Sequence, residues 1–277
     1  MKKNQYTGNS SVKREFGRSE CVAPSSLYTT IACTEISGGQ RKQIEADVII
    51  EEVFDLFIND VHLTTFYASP RELEELAVGF MVCEGFIYRD DIRNILSIDI
   101  GPKRIDCKIN IETSRLFDLV RVERCGTTLF TPRDRPLLPK DVFFSPQVIF
   151  NAVGKLKEWG NAWKKTGGAH SSLVCDPSGN VLVFCEDIGR SCSVDKAVGK
   201  ALLEGIDISR CALVTTGRLA GTMVSKAINS GFPLMASKGA TVKEAVLLAQ
   251  DADLTLVGFV REPNMYVYSG EYRLIDA

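Results

Sequence analysis

The sequence predicts an α/β protein built from a small α+β unit and a larger unit with a mixed sheet flanked by helices. After about residue 145, runs with the spacing of helices alternate with short runs typical of strands. The strand-like runs are apolar at consecutive positions and rich in β-branched residues, as in sheets that helices cover. Three of the ten prolines fall within residues 131–140, which places a domain boundary near residue 138.

The composition matches a soluble globular protein and excludes several functional classes. The 277 residues include 33 Lys or Arg and 35 Asp or Glu, so the net charge of −2 is unlike that of a general nucleic-acid-binding protein. No apolar run approaches the roughly 20 residues that a membrane-spanning helix needs. The polar N-terminus lacks the apolar core of a secretory signal. We therefore expect a cytoplasmic protein without DNA, RNA or membrane partners.

The cysteine pattern favours reduced thiols. The nine cysteines are an odd number with no C-x-x-C spacing, which argues against a disulfide framework. The chain has only two histidines, His62 and His170, and neither has a cysteine at ligand spacing, so we expect no metal site. Most of the cysteines are expected to be small buried apolar residues.

The N-terminal half is predicted in two parts. Residues 1–42 are rich in Ser, Gly, Lys and Arg and are expected to form a flexible polar tail. Residues 43–138 are expected to form a small α+β domain with a cysteine-containing loop near residues 121–130. In this domain one hairpin is predicted around Asn59 and Asp60, and a second around the later GPKR turn.

The first helix has the clearest start signal in the chain. Ser69 is predicted as its N-cap, Pro70 as its first residue and Glu72 as the partner that completes a capping box. Apolar residues then recur with helical spacing, and Gly85 can end the helix.

Residues 139–277 are predicted to form the α/β domain. Ser145 and Pro146 open its first helix, and a hairpin with the strands SSLVC and VLVFC follows. Helices then alternate with the strands CALVTT, PLMAS and LTLVGFV, and MYVY is the last strand.

Ligands of α/β sheets bind beyond the carboxyl ends of the strands and at helix N-termini. Segments with Gly or small hydroxyl residues fall at such ends, at residues 186–190, 215–218, 237–241 and 261–264. Together they predict a crevice with open backbone N–H groups for a phosphate-bearing ligand. Taken singly, each is equally an ordinary cap or turn.

Two residues are candidates for chemistry. Cys125 lies in the polar stretch RVERCGTTLF, where Arg121 and Arg124 could lower the pKa of its thiol and raise the thiolate fraction. It is therefore either a nucleophile or persulfide carrier, or a cysteine without a role. His170 follows a flexible Gly-Gly turn and is either a proton shuttle or ligand contact, or a structural histidine.

These segments together resemble the formate dehydrogenase accessory proteins, the FdhD family, from about residue 48 to the C-terminus. The residues that carry the resemblance occur in the family's order and near its spacings. They are Ala68-Ser69-Pro70, Glu84-Gly85, Thr166-Gly167-Gly168 with His170, residues 186–190, Asp195-Lys196, Gly217-Arg218, Lys226 and residues 254–259.

The resemblance implies a sulfurtransferase that acts as a sulfur carrier. Such a protein takes sulfur from a cysteine desulfurase as a cysteine persulfide and passes it to the molybdenum cofactor that formate dehydrogenase needs. The implied ligand is molybdopterin guanine dinucleotide, bound as a substrate, and no zinc is implied. The resemblance further implies a C-terminal domain similar to the cytidine deaminase fold, a homodimer, and Cys125 as the sulfur-carrying residue.

The resemblance also implies a cofactor-binding stretch beyond the last long strand. Its residues are Phe259, Val260, Arg261, Glu262, Pro263 and Asn264. Arg261 can pair with phosphate in a bidentate way, whereas Phe259 either stacks on a base or belongs to the core. Arg218 and Lys238, each at a predicted helix start, would add cations, and His170 would add a further contact.

Two departures from the family keep a second hypothesis open. The family usually carries C-x-x-C in its central loop, but this chain keeps only Cys125, with Thr128 where a partner would fall. Cys125 could match either member of the family's pair. The family's Gly-Arg-His-Asn segment reads Gly189-Arg190-Ser191-Cys192 here, so Cys192 could supply the missing thiol. The second hypothesis is a non-catalytic accessory protein that binds the cofactor or the dehydrogenase without transferring sulfur. Zinc deamination is excluded, because no Glu stands two positions after Cys192 and no C-x-x-C follows.

Overall fold

A computed structural model describes residues 26–110 and 136–276 of the chain. The described residues form twelve strands and six α-helices, which confirms a mixed α/β architecture. No helix among them is long and apolar enough to cross a membrane.

The first two strands form a long antiparallel hairpin that we did not predict. Strand β1 (Tyr28–Ser37) pairs with β2 (Gln40–Ile49) over its whole length. The prediction of a flexible tail up to residue 42 was therefore wrong for residues 28–42. Gly38 and Gly39 both adopt positive φ, at 57° and 82°, which is the backbone that a two-residue hairpin turn needs. That turn lies between β-branched strands, and this local signal outweighs the polar composition.

The N-terminal half contains a four-stranded sheet. Its strands are β3 (Glu52–Ile58), β4 (Val61–Ala68), β5 (Ile95–Gly101) and β6 (Arg104–Ile109), in the order β4-β3-β6-β5. Both predicted hairpins are confirmed, since β3 pairs with β4 and β5 with β6 in antiparallel fashion. Helix α1 (Leu73–Cys83) and a 3₁₀ turn (Arg89–Asn94) connect the two hairpins.

The predicted start of α1 was wrong. The helix begins at Leu73, after Glu72 in a left-handed conformation, and no side chain caps it. Ser69 is instead fully buried, where its N–H donates to Asp187 Oδ2 at 3.0 Å and its Oγ accepts from the N–H of Ile188 at 3.1 Å. The local capping signal did not set the helix start, because the Ser69 hydroxyl accepts from Ile188 instead and so joins the two halves of the molecule.

The C-terminal half contains a six-stranded mixed sheet in the order β12-β11-β10-β9-β7-β8. Its strands are β7 (His170–Cys175), β8 (Val181–Asp187), β9 (Ala212–Thr215), β10 (Leu234–Ser237), β11 (Thr255–Arg261) and β12 (Asn264–Ser269). Its helices are α2 (Pro146–Trp159), α3 (Asn161–Thr166), α4 (Arg190–Leu203), α5 (Gly221–Ser230) and α6 (Lys243–Asp251). Strands β9, β10 and β11 are parallel, and the other pairs are antiparallel. The start of α2 is as predicted, because Ser145 Oγ accepts from the N–H of Val148.

Helices cover both faces of this sheet. Consecutive strand residues alternate between two apolar clusters, so that Val214 packs on the α2 side and Leu213 on the side of α4 and α5. The cluster on the side of α4 and α5 continues without a break through Leu76 of α1 to Leu56 of the four-stranded sheet. The chain therefore has separate sheets in its two halves but one shared core, and a boundary near residue 138 stays a prediction. Likeness to the cytidine deaminase fold likewise stays a prediction.

Helices α1 and α4 cross at two glycines. A Cβ atom on Gly79 would overlap the carbonyl oxygen of Asp195, and one on Gly199 would overlap the carbonyl oxygen of Glu75. The two main chains are thus in contact at the crossing, which only glycine permits.

Candidate functional site

The predicted sheet-end segments meet at one edge of the six-stranded sheet. The N–H of Lys238 donates to the carbonyl of Thr215 at 3.3 Å, and the N–H of Phe259 donates to the carbonyl of Gly239 at 3.0 Å. A Cβ on Gly217 would lie 2.8 Å from the Cβ of Arg190. Strand β7 is antiparallel to β9, so its first residues begin at this same edge. Parallel strands and an antiparallel neighbour thereby bring all four segments together.

The glycine N–H groups of these segments are already bonded, which corrects the prediction that they stay open. In each of three turns, a buried side chain at a strand end accepts from the N–H of the glycine two residues later. The pairs are Asp187 with Gly189 at 2.7 Å, Thr215 with Gly217 at 3.2 Å and Ser237 with Gly239 at 2.9 Å. Attraction for an anion must therefore come mainly from side chains.

Exposed cations at this edge supply that attraction. Arg190, Arg218, Lys238 and Arg261 are all exposed, and none forms an ion pair with another residue in ranges 26–110 and 136–276. Exposed cations close together on a surface raise the local concentration of anions. The arrangement favours a ligand with several negative charges.

A cavity of about 290 Å³ opens beside these loops. Its lining residues are Val153, Leu156, Lys157, Trp163, Gly167, Gly168, Ala169, His170, Ser171, Thr216 and Lys238. Of the predicted site residues, the structure thus brings His170 and Lys238 together in this cavity. Arg218 and the stretch from Phe259 to Asn264 do not line it.

His170 contributes an uncharged imidazole to the lining of the cavity near pH 7. Its Nδ1 lies 3.2 Å from Thr216 Oγ1, and its ring is half-buried. Burial lowers the pKa of His170, the positive charge of Arg190 lowers it further, and Asp187 opposes both effects. The imidazole can therefore donate or accept a hydrogen bond near pH 7 without adding charge.

The predicted cofactor-binding stretch is the tip of the β11–β12 hairpin. Phe259 has a positive φ of 51°, and its ring lies 5.6 Å from the ring of Tyr266 and 6.0 Å from the Arg261 guanidinium carbon. Arg261, Glu262, Pro263 and Asn264 are exposed. Val260 is different, because its side chain is buried in the core and only its main chain can face a ligand.

A buried ion pair lies at the end of β8, next to this edge of the sheet. Lys196 Nζ lies 2.6 Å from Asp187 Oδ2 and 2.9 Å from the carbonyl oxygen of Ser69, and both charged side chains are fully buried. Asp187 Oδ1 also accepts a hydrogen bond from the N–H of Gly189. The ion pair links Asp187, at the end of β8, to the chain before α1. The sequence did not predict this role.

A second buried cluster joins α1, α4 and α5. Lys226 Nζ lies 2.8 Å from Asp195 Oδ1 and 2.6 Å from Glu84 Oε1. Burial raises the pKa of Asp195 to about 6, although Lys226 opposes this effect. Burial alone would lower the pKa of Lys226, but Asp195 and Glu84 together raise it.

The raised pKa of Asp195 predicts a specific pH dependence of stability. The group titrates near 3.8 when unperturbed, so the folded protein binds its proton more tightly than the unfolded chain. Its contribution to stability is therefore fully present below about pH 4 and is lost as the pH rises through about 6. We expect the unfolding free energy of the wild type, minus that of Asp195→Asn, to fall between these values and then level off. Urea unfolding across this range measures it, and a constant or rising difference would contradict the assignment.

The described cysteines are mostly unreactive. Burial raises the pKa of Cys107, Cys175 and Cys192 to about 12 and that of Cys211 to about 11, and it raises the pKa of Cys83 and Cys185 well above the usual range. Cys192 lies in the first turn of α4, with its Sγ 3.9 Å from the carbonyl oxygen of Tyr67. It is a poor candidate for a missing second thiol. Cys125, with its loop at residues 121–130, lies outside the described residues.

Metal-ligating side chains are not clustered in residues 26–110 and 136–276, where no three His, Cys, Asp or Glu residues are placed to hold an ion. Sequence reasoning also missed Trp163 and Lys157 in the cavity. The signal for Trp163 was a short stretch, GNAW, that interrupts the helical spacing after α2, whereas Lys157 lies within that helix.

Comparison with known proteins gives consistent similarities. Residues 49–275 match the model of the FdhD/NarQ family. The sulfur carrier protein FdhD of Saccharolobus solfataricus is 32% identical over 213 residues, which cover 74% of this chain and 81% of that protein. The sulfur carrier protein FdhD of Methanothermobacter thermautotrophicus is 29% identical over 255 residues, which cover 90% and 100%.

A solved structure shares the fold. It is a crystal structure from Desulfotalea psychrophila, described as that of a formate dehydrogenase accessory protein. The TM-score is 0.75 at 24% sequence identity, and the match covers 90% of this chain and 100% of the other.

Proposed function

This chain belongs to the FdhD/NarQ family, and from that premise we propose that it is a sulfur carrier serving a formate dehydrogenase. The match of residues 49–275 to the family carries the proposal. The names of the two relatives support it, because both are sulfur carrier proteins. A zinc deaminase would need residues that this sequence lacks, since no Glu stands two positions after Cys192 and the chain has no C-x-x-C.

The proposed carrier residue is Cys125. Its thiolate attacks the outer sulfur of a persulfide on a cysteine desulfurase, the new S–S bond forms on Cys125, and the desulfurase thiolate leaves. Arg121 and Arg124, close in the sequence, favour the thiolate that this attack requires. The raised pKa values of the buried cysteines support the assignment, because those thiols are weak nucleophiles near neutral pH.

The proposed acceptor is molybdopterin guanine dinucleotide, bound as a substrate at the edge of the six-stranded sheet. A dinucleotide cofactor carries several phosphate charges, and the exposed cations Arg218, Lys238 and Arg261 fit such a ligand. Phe259 and the half-buried His170 add an aromatic ring and a neutral hydrogen-bonding group. These residues would bind and orient the cofactor while the persulfide delivers sulfur to it. A homodimer in the cytoplasm belongs to the same proposal.

One observation favours a second candidate function. Cys125 matches one member of the family's C-x-x-C pair, the first or the second, and neither Val122 nor Thr128 supplies the other cysteine, so the loop sequence offers no second thiol to resolve the persulfide. A protein that only binds the cofactor or the dehydrogenase would retain the cation-rich edge and lose sulfur transfer. The two functions differ in whether Cys125 accepts sulfur.

Incubation with a cysteine desulfurase and cysteine tests this difference. We expect intact mass analysis to show an adduct of about 32 Da, mapped by peptide analysis to Cys125, because one sulfur atom is added. Cys125→Ser should abolish the adduct, whereas the matched variant Cys33→Ser, at the exposed cysteine of β1, should retain it. No adduct on the wild type would favour the binding protein. An adduct that survives in Cys125→Ser would move the carrier role to another cysteine.

A further inference from the structure

The hairpin of β1 and β2 lies outside the core of the molecule. All residues from 29 to 43 are exposed, and neither apolar cluster includes a residue of the hairpin. The hairpin contacts the rest of the chain at its base, where a Cβ on Gly168 would lie 2.9 Å from Ile49 Cγ2 and Lys165 Nζ lies 3.9 Å from Asp47 Oδ2. A two-stranded hairpin on its own is at best marginally stable in water. We therefore expect a further contact along its length.

One face of the hairpin is apolar. Successive side chains of a strand point to opposite faces, and residues opposite each other in an antiparallel pair share a face. Ile31 lies opposite Ala46, and Cys33 lies opposite Ile44. We call this side the apolar face of the arm, and its residues are Thr29, Ile31, Cys33, Ile44, Ala46 and Val48. Ile31 is 51% exposed, so the middle of this face is open in the single chain.

The other face is polar, and it is the one that contacts the body of the protein. Thr30 Oγ1 donates to Asp47 Oδ1 at 2.8 Å, and Gln43 Nε2 donates to Thr34 Oγ1 at 3.0 Å. Ile49, which packs on the α3 loop, shares this face because it lies two residues beyond Asp47. The apolar face therefore points away from the contacts at the base.

We propose that the hairpin is an arm whose apolar face packs on a second copy of this chain, with the two arms exchanged about a two-fold axis. The inference rests on the homodimer of the proposed function and deepens it, because it names the surface that forms the dimer. It does not depend on the transfer of sulfur.

The size of the arm favours exchange between two copies. Each strand has ten residues, so the face measures roughly 33 Å by 10 Å at the usual rise and strand spacing. One arm on a different protein would bury about 660 Å² of the two surfaces together, which is below the roughly 1,200–2,000 Å² of stable specific interfaces. Two exchanged arms would bury about 1,300 Å², which reaches that range.

The chemistry of the face also favours a second copy. The charged residues of the hairpin lie near its turn or on the polar face, and they are Glu35, Arg41, Lys42, Glu45 and Asp47. The middle of the apolar face therefore repels no like surface and attracts no particular charge. Exposed apolar strands promote aggregation unless they are covered. A second copy is present whenever the chain is, and two-fold contacts are the commonest in homo-oligomers.

Two isoleucines of β1 provide a matched test, because Ile31 lies on the apolar face and Ile36, 60% exposed, lies on the polar face. Sedimentation velocity of the full chain over a dilution series measures the dimer. We expect the wild type to sediment at twice the chain mass of 30.5 kDa. Ile31→Glu should raise the dissociation constant roughly a hundredfold or more, because an unpaired carboxylate would be buried against apolar atoms. Ile36→Glu should leave it unchanged.

The reactivity of Cys33 gives a second measurement that needs no new charge. This thiol is exposed in the single chain and lies on the apolar face. Labelling with iodoacetamide and peptide mapping should show that Cys33 reacts at least about tenfold more slowly in the dimer than in Ile31→Glu, since reaction then requires dissociation. Dilution of the wild type below its dissociation constant should restore the fast rate.

Each contrary result overturns the arm. A monomeric wild type would do so with a protected Cys33, which would place the cover within the same chain, or with a reactive Cys33, which would leave the face to a different protein. A dimer that survives in Ile31→Glu, or one that Ile36→Glu weakens equally, would place the contact elsewhere. None of these results bears on the sulfur adduct of Cys125, which mass analysis reads separately, and failure of that adduct would leave the dimer in place.

Discussion

Gly199→Ala is expected to destabilise the folded protein by about 3 kcal/mol, the upper end of the usual cost of overpacking a core, because the new methyl group would meet main-chain atoms. The new Cβ would overlap the carbonyl oxygen of Glu75 and lie 2.7 Å from the nitrogen of Gly79. These are main-chain atoms of α1, so no side-chain rotation relieves the overlap. Helices α1 and α4 would have to separate and open the core that the two halves share.

Gly154→Ala is the matched control, because Gly154 also lies inside a helix but nothing stands within 4 Å of its would-be Cβ. There the change is expected to stabilise the protein by about 0.5–1 kcal/mol, the usual gain of alanine over glycine in a helix. Urea unfolding midpoints measure both effects. Equal midpoints for the two variants would show that α1 and α4 are not in main-chain contact.

Lys196→Met is expected to cost about 3–5 kcal/mol of unfolding free energy, the usual penalty for removing one partner of a buried ion pair. Lys196 and Asp187 are both fully buried with their charged atoms 2.6 Å apart. The variant would leave the Asp187 carboxylate without its cation in the core. It would also remove the donor to the carbonyl of Ser69, which loosens the chain before α1.

Lys155→Met provides the comparison on the surface. Lys155 pairs with Glu158 at 2.9 Å, but both side chains are substantially exposed, and exposed pairs contribute little. We expect no measurable change in the melting temperature for this variant and a large decrease for Lys196→Met. Similar melting temperatures for the two would contradict the role assigned to the buried pair.

Local patterns predicted most of the elements correctly. The turn at Asn59 and Asp60, the cap at Ser145 and the alternation of strands and helices after it are all signals carried by residues close together in the chain. The same kind of signal was overlooked at Gly38 and Gly39, where polar composition suggested a tail. It failed at Ser69, because bonding to Asp187, 118 residues away, replaced the cap.

The sequence by itself determined the α/β class, the order of most elements after the first hairpin, the resemblance to the FdhD family and the candidate role of Cys125. Only the tertiary structure decided which polar residues are buried pairs and which are free to bind. Asp187 and Lys196 proved to be a buried ion pair, whereas Lys157, Trp163 and Lys238 came together around a cavity. Hydrophobic periodicity reports which face of an element is buried, and it reports nothing about which distant charge meets another. That choice depends on strand order and helix crossing, through contacts between residues far apart in the chain.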